Sequence, residues 1–320
     1  MDLSEMAVHF REARYSWIGI SLIFAVMAHL SRARRWILLI EPLQHKPGLW
    51  NTINAVLFGY LANYALPRLG EVSRCIALGK KEKIPVDALL GTVIIERTID
   101  LVSMFIILFF LLIARFEKFG AFFSDYIFDP ISTRVASIFG QTFLFWLLVG
   151  SVVVVIILLL IIFRKQIMRT KPVQKILEIL RGVSQGLQTV LHMERKWEFL
   201  FHTLFIWFNY AMMTWVIVFA LPHITGDLKF MDGIFLLVIG SLGMAVPVQS
   251  GIGAFHWIVS RGLHYVYGLE LSEGLVFATL QHESQTLLIL VLGSLAMFFL
   301  FSSKKWARPL FKNRNLEPRS

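Results

Sequence analysis

The sequence predicts an all-α integral membrane protein, an inverted repeat of span, re-entrant hairpin and span, with about five full spans and two re-entrant helical hairpins. Three observations predict it. Hydrophobic residues make up 57% of the 320 and charged residues only 16%, with a mean hydropathy of +0.68. A soluble chain of this length has no means of hiding so much apolar surface. Several apolar runs exceed the roughly 18 residues that a spanning helix needs. Lysine and arginine also collect in some connections and avoid others, which sets a topology.

Five runs read as full spans: about 15–31, 88–114, 141–163, 197–221 and 274–302. Connection 164–196 carries eight basic residues against Glu178 and Glu194, and the tail 303–320 carries six more. Connection 115–140 is balanced, with three of each sign. The positive-inside rule then places 164–196 and the C-terminus in the cytoplasm and 115–140 outside. Within 173–191, Val173, Ile176, Leu177, Leu180, Val183, Leu187 and Leu191 form a helical stripe, expected to lie on the inner leaflet. The whole chain, 1–320, is one transmembrane domain. Residues 15–114 form the first half-repeat, 141–196 the linking span and amphipathic helix, 197–302 the second half-repeat, and 303–320 a basic cytoplasmic tail.

Two further apolar segments are interrupted. Segment 50–66 stops at Pro67-Arg68-Leu69-Gly70-Glu71 and resumes over 72–78. Segment 230–246 stops at Pro247-Val248-Gln249-Ser250-Gly251-Ile252-Gly253 and resumes over 254–267. Proline removes a donor and glycine loosens the backbone, so each helix breaks there. Arg32, Arg34, Arg35 and Lys46 precede the first hairpin and Lys80, Lys81 and Lys83 follow it, so both of its ends read as cytoplasmic. The second is flanked by Asp227, Lys229, Asp232, Glu270 and Glu273, and its ends read as external. The hairpins therefore enter from opposite faces, the plan of alternating-access transporters. Two full-length pairs of kinked spans are the plainer reading, but 72–78 is too short to cross.

Ionisable residues at membrane depth are costly and mark candidate sites. Glu96 and Asp100, four apart, share a helix face, with Arg97 one turn from Asp100. Arg68, Glu71 and Arg74 of the inner hairpin are their expected partners, which makes three acids and three bases. Two readings stay open: a salt-bridge lock between hairpin and helix, or a polar site that also meets a charged headgroup or a coupling ion.

The second half carries Gln281, His282, Glu283, Gln285 and Thr286 on its last span, Gln249 and His256 beside the outer break, and Asn209 in mid-span. His282, Gln285 and Thr286 face one way, either as a titratable gate and headgroup contact or as neutral hydrogen-bonding groups. His256, His282 and Glu283 suit zinc by type, but no close ligand spacing supports it, so neither a metal nor another cofactor is expected. Gly70, Gly251 and Gly253 are read as permitting the reversals and offering backbone N–H groups to an anion. Gly59, Gly91, Gly240 and Gly243 are read as close-packing positions. Cys75 stands alone and excludes a disulfide within the chain. The net charge of +10 fits loops facing anionic lipid better than nucleic acid, for which no motif appears. Residues 1–15 carry mixed charge and no cleavage site of a signal peptide.

The run Asn63-Tyr64-Ala65-Leu66-Pro67-Arg68-Leu69-Gly70-Glu71-Val72-Ser73-Arg74, the following Glu96-Arg97-Thr98-Ile99-Asp100, and Pro247 to Phe255 resemble one family. It is the flippase-like integral membrane family related to the transmembrane domain of lysylphosphatidylglycerol synthase (multiple peptide resistance factor). The resemblance covers about 17–301. It implies movement of a lipid between leaflets, such as an aminoacylated phospholipid or a lipid-linked sugar. Relatives usually begin with one more span and often carry a Glu where this chain has Phe255-His256. The soluble synthase domain is absent here, and its activity is not carried over.

The expected function is therefore that of a lipid flippase in a bacterial inner membrane, with an anionic or lipid-linked headgroup as partner and no nucleotide-binding loop. A membrane-embedded enzyme acting on lipid headgroups and a scaffold for a membrane glycosyltransferase are the alternatives. Against the enzyme, the two polar sets fall on opposite sides of the membrane. Association with further copies of the chain is left open.

Overall fold

The computed structural model describes residues 3–129 and 193–302. The predicted span 141–163, the amphipathic stripe 173–191 and the basic tail lie outside the described residues. Those described are almost wholly helical: α1 (Leu3–Glu12), α2 (Tyr15–Ile40), α3 (Leu49–Ala65), α4 (Leu69–Glu82), α5 (Val86–Phe123), α6 (Lys196–Ile217), α7 (Phe230–Ala245), α8 (Ala254–Tyr267) and α9 (Leu271–Phe301). Four helical segments, 15–43, 86–127, 196–220 and 271–301, are long and apolar enough to cross a membrane. On α5 the side chains of Leu101, Phe105, Phe109, Phe110 and Ile113 are exposed, and on α9 so are Leu287, Val291 and Phe298. A contiguous apolar surface of this kind is stable against lipid, not water.

The helix boundaries follow from local chemistry. Leu66 and Val246 both take an extended backbone, because the ring of the next residue, Pro67 or Pro247, excludes the helical conformation before it. Asp232 and Glu273 accept the backbone N–H groups of Lys229 and Glu270 and so open α7 and α9 with capping boxes. The first span runs further than 15–31. Its helix continues through Arg32, Arg34 and Arg35 to Ile40 and stops only at the turn Glu41–Leu43, which contains Pro42. The arginines read as flanking charges are thus inside the helix, and the apolar run Trp36–Ile40 beyond them is buried.

Helices α3 and α4 pack against each other as one helical hairpin, and α7 and α8 as another. Their lengths of 17, 14, 16 and 14 residues fall short of the roughly 20 that span a bilayer. The most extensive helix pairing is α2 with α6, while α9 lies against both α3 and α8. Two of the apolar clusters among the described residues surround the hairpins. One is rich in phenylalanine and joins the end of α5 to the second hairpin, with Phe119 stacked on Phe235 at 4.5 Å. The other gathers Trp36, Ala55, Cys75, Leu78 and Leu89 around the first hairpin.

The glycine readings divide. Gly251 and Gly253 have φ of 74° and 82° and make the second reversal. The first is made by Arg68, at φ 63°, and not by Gly70. Gly70 lies inside α4 where that helix meets Gly59 of α3, and its N–H is taken by Asn63 Oδ1 at 2.7 Å, so it is not offered to an anion. Gly240 and Gly243 close the α7/α8 contact on Phe255 as expected. Gly91 has open space around it and closes no contact.

Candidate functional site

The charged residues separate into two groups. The first is a closed lock. Arg32 donates to Glu96 Oε1 at 2.5 Å and to Asp100 Oδ2 at 2.8 Å. Arg35 donates to Asp100 Oδ1 at 2.6 Å, and Arg74 to Glu96 Oε2 at 3.0 Å. The side chains of Arg35 and Glu96 are 0% exposed. Arg74 also lies over the Trp36 ring at 4.6 Å, and the Trp36 indole donates to Thr92 Oγ1 at 2.9 Å. Helices α2, α4 and α5 are thereby tied by buried, charge-assisted bonds.

The second group faces a cavity. A space of about 450 Å³ lies between the two proline breaks, and both hairpins together with α2, α5, α6 and α9 contribute to its wall. This is within the size range of small-molecule sites. Arg68, Glu71 and Arg97 line it. Arg68 makes no ion pair among the described residues, so it does not join Glu96 and Asp100 as expected; the left-handed turn at the hairpin tip carries it to the wall instead. Arg97 pairs with Glu71 at 3.5 Å, and its side chain is 42% exposed. Counting both groups, Arg32, Arg35, Arg68, Arg74 and Arg97 stand against Glu71, Glu96 and Asp100. The near-neutral set expected from sequence is instead cationic, because α2 contributes two arginines that the sequence reads only as charges flanking the first hairpin.

Opposite stand the polar groups of the second half. Gln281, His282, Gln285 and Ser250 line the same cavity. The two polar sets thus meet in one space, which removes the sequence objection to an enzyme: both broken tips line the cavity, and Gln249 Nε2 donates to the Ala65 carbonyl at 3.3 Å across them. His282 contacts the Ser250 carbonyl through Nε2 at 2.9 Å and Glu283 through Nδ1 at 3.0 Å. His256 lies 3.6 Å from the same carboxylate oxygen. Tyr64 reaches Thr286 at 3.2 Å, joining the first hairpin to α9. Gln285 Nε2 is buried and has no hydrogen-bond partner among the described residues. Asn209 is not part of the cavity wall; it donates to the Phe205 carbonyl of its own helix.

Residues that sequence reasoning missed include Arg32 and Arg35, and also His29, Tyr60 and Tyr210, which complete the wall on the side of α2, α3 and α6. Arg32 and Arg35 carried a signal: arginines three apart, followed at once by five apolar residues, mark a continuing helix with one charged face.

Four long apolar helices, two short broken hairpins and a cationic cavity between the breaks define a polytopic helical membrane protein with an internal polar site. The chain belongs to the family described as the lysylphosphatidylglycerol synthase TM region, which matches residues 1–293. No curated protein and no solved structure matched it.

Proposed function

We propose that this protein moves an anionic lipid headgroup between the leaflets of a bacterial inner membrane, with the cavity holding the headgroup while the acyl chains stay in lipid. One observation carries the reading. The cavity between the proline breaks has an excess of arginine in its surroundings, with Arg68 on its wall and without an ion pair among the described residues. An anion satisfies that charge through charge-assisted hydrogen bonds. Membership of the family supports a lipid-related role.

In this reading the two hairpins are re-entrant, enter from opposite faces and form an inverted repeat, with the C-terminus in the cytoplasm by the positive-inside rule. Their short helices are what re-entry requires. The lock fixes the first hairpin to α2 and α5. Arg68, Glu71, Arg97, Gln249, His256, His282 and Gln285 act on the substrate side.

The test is leaflet-resolved flipping of labelled phosphatidylglycerol in proteoliposomes, wild type beside Arg68→Ala. Wild type flips the lipid. Arg68→Ala slows flipping about 10–100-fold, the effect of losing one charge-assisted hydrogen bond of about 1.5–3 kcal/mol. Its unfolding midpoint stays unchanged, since an exposed side chain without partners costs under about 0.5 kcal/mol to remove. Absence of flipping by wild type, or equal rates in the two proteins, overturns the proposal. A headgroup found chemically altered by mass spectrometry replaces it with the second reading, an enzyme, which the presence of His282 and Glu283 beside the cavity favours.

A further inference from the structure

We propose that His256, His282 and Glu283 bind one divalent transition-metal ion of the zinc class. The sequence alone argued against this, since the two histidines are 26 positions apart. The fold removes the objection by laying α8 against α9, which brings ligand atoms of all three residues within 4.8 Å of one another.

The first support is a conflict of lone pairs. A carbonyl oxygen only accepts, so the 2.9 Å contact with Ser250 puts the His282 proton on Nε2. Nδ1 then presents its lone pair 3.0 Å from Glu283 Oε1, which also presents one when ionised. A cation between them turns this repulsion into attraction. The arrangement is also the one metal-binding histidines adopt, with the far nitrogen donating to a backbone carbonyl that fixes tautomer and ring direction. The carbonyl is held in place at some expense, because Ser250 is a non-glycine residue at φ 46°.

Spacing agrees. Ligands about 2.0–2.1 Å from a tetrahedral zinc ion stand about 3.3 Å from each other. Glu283 Oε1 lies 3.0 Å from His282 Nδ1 and 3.6 Å from His256 Nε2, on either side of that value. His256 Nδ1 is buried with no hydrogen-bond partner among the described residues, and Nε2, 3.6 Å from Glu283 Oε1, is the nitrogen that the ring presents to a shared cation. Two imidazoles and a carboxylate leave a fourth position open, as in zinc sites that bind substrate or water. Glu283 is 44% exposed and His282 lies in the cavity wall, so that position is accessible. A headgroup phosphate oxygen is the ligand expected there; this last step rests on the lipid-transport reading, whereas metal binding does not.

The experiment is titration of the full-length chain in nanodiscs with Co²⁺ and with Zn²⁺. It uses a His223→Ala background, which removes the separate His9, Glu12 and His223 group at another place on the surface. One equivalent of Co²⁺ is expected to give the visible absorption of a tetrahedral site, and Zn²⁺ is expected to displace it and raise the unfolding midpoint while Mg²⁺ does not. Glu283→Gln preserves size and polarity at a partly exposed position and is expected to weaken binding at least 10-fold, as is His256→Gln. Absence of the absorption band, or equal affinity in the background chain and the folded Glu283→Gln chain, overturns the proposal and leaves a shared proton to separate the lone pairs.

Discussion

The Glu96→Gln chain is expected to unfold about 3–5 kcal/mol more easily than wild type, measured as a lower midpoint in thermal or dodecyl sulfate unfolding. The reason is geometric. Glu96 is fully buried and receives Arg32 on one oxygen and Arg74 on the other, with Arg35 3.7 Å away. A neutral amide at this position leaves Asp100 as the sole anion for three buried guanidinium groups, and one of the amide's ends is a donor facing another donor. Glu71→Gln provides the contrast. Its pair with Arg97 opens onto the cavity, so the cost stays below about 1 kcal/mol. Equal losses from the two substitutions would contradict the division into a closed lock and an open site.

Gly70→Val is expected to lower stability by about 1–3 kcal/mol or more and to abolish transport. A Cβ at Gly70 runs into the carbonyl oxygen of Gly59 and stands 2.6 Å from Asn63 Oδ1. Backbone cannot yield as a side-chain tip can, so α3 and α4 must part. Asn63 then loses its bond to the Gly70 N–H, and the turn carrying Arg68 and the neighbouring Glu71 shift with it. Gly91→Val, with open space around the position and a helix propensity better than that of glycine, is expected to leave stability unchanged within about 0.5 kcal/mol by the same melting assay. Similar midpoints for the two variants would show that the α3/α4 crossing does not constrain the hairpin.

Much of this architecture was legible in the sequence. The apolar runs, the paired breaks at Pro67 and Pro247 and the coupling of Glu96 to Arg74 follow from rules of length, backbone geometry and charge. The two arginines of α2 did not follow, because the positive-inside rule counts charges along the chain and cannot see that Arg32 and Arg35 turn inward from a helix that has not ended. Arg68 was grouped with the acids by proximity in sequence; its left-handed backbone, which no composition rule anticipates in a non-glycine residue, takes it elsewhere. The convergence of His256 on His282 and Glu283 depends on how α8 lies against α9, a tertiary fact that local periodicity does not contain.

The closure of the lock has a consequence for ionic strength. Charges sealed from water are little screened, while those on a wet wall lose their reach beyond about 8 Å at physiological salt. Arg32, Arg35, Arg74 and Glu96 belong to the first kind, and Arg68 and Arg97 to the second. Raising potassium chloride is therefore expected to weaken capture of an anionic lipid while the unfolding midpoint stays level, so that headgroup affinity follows the ionic surroundings and the bundle that presents it does not.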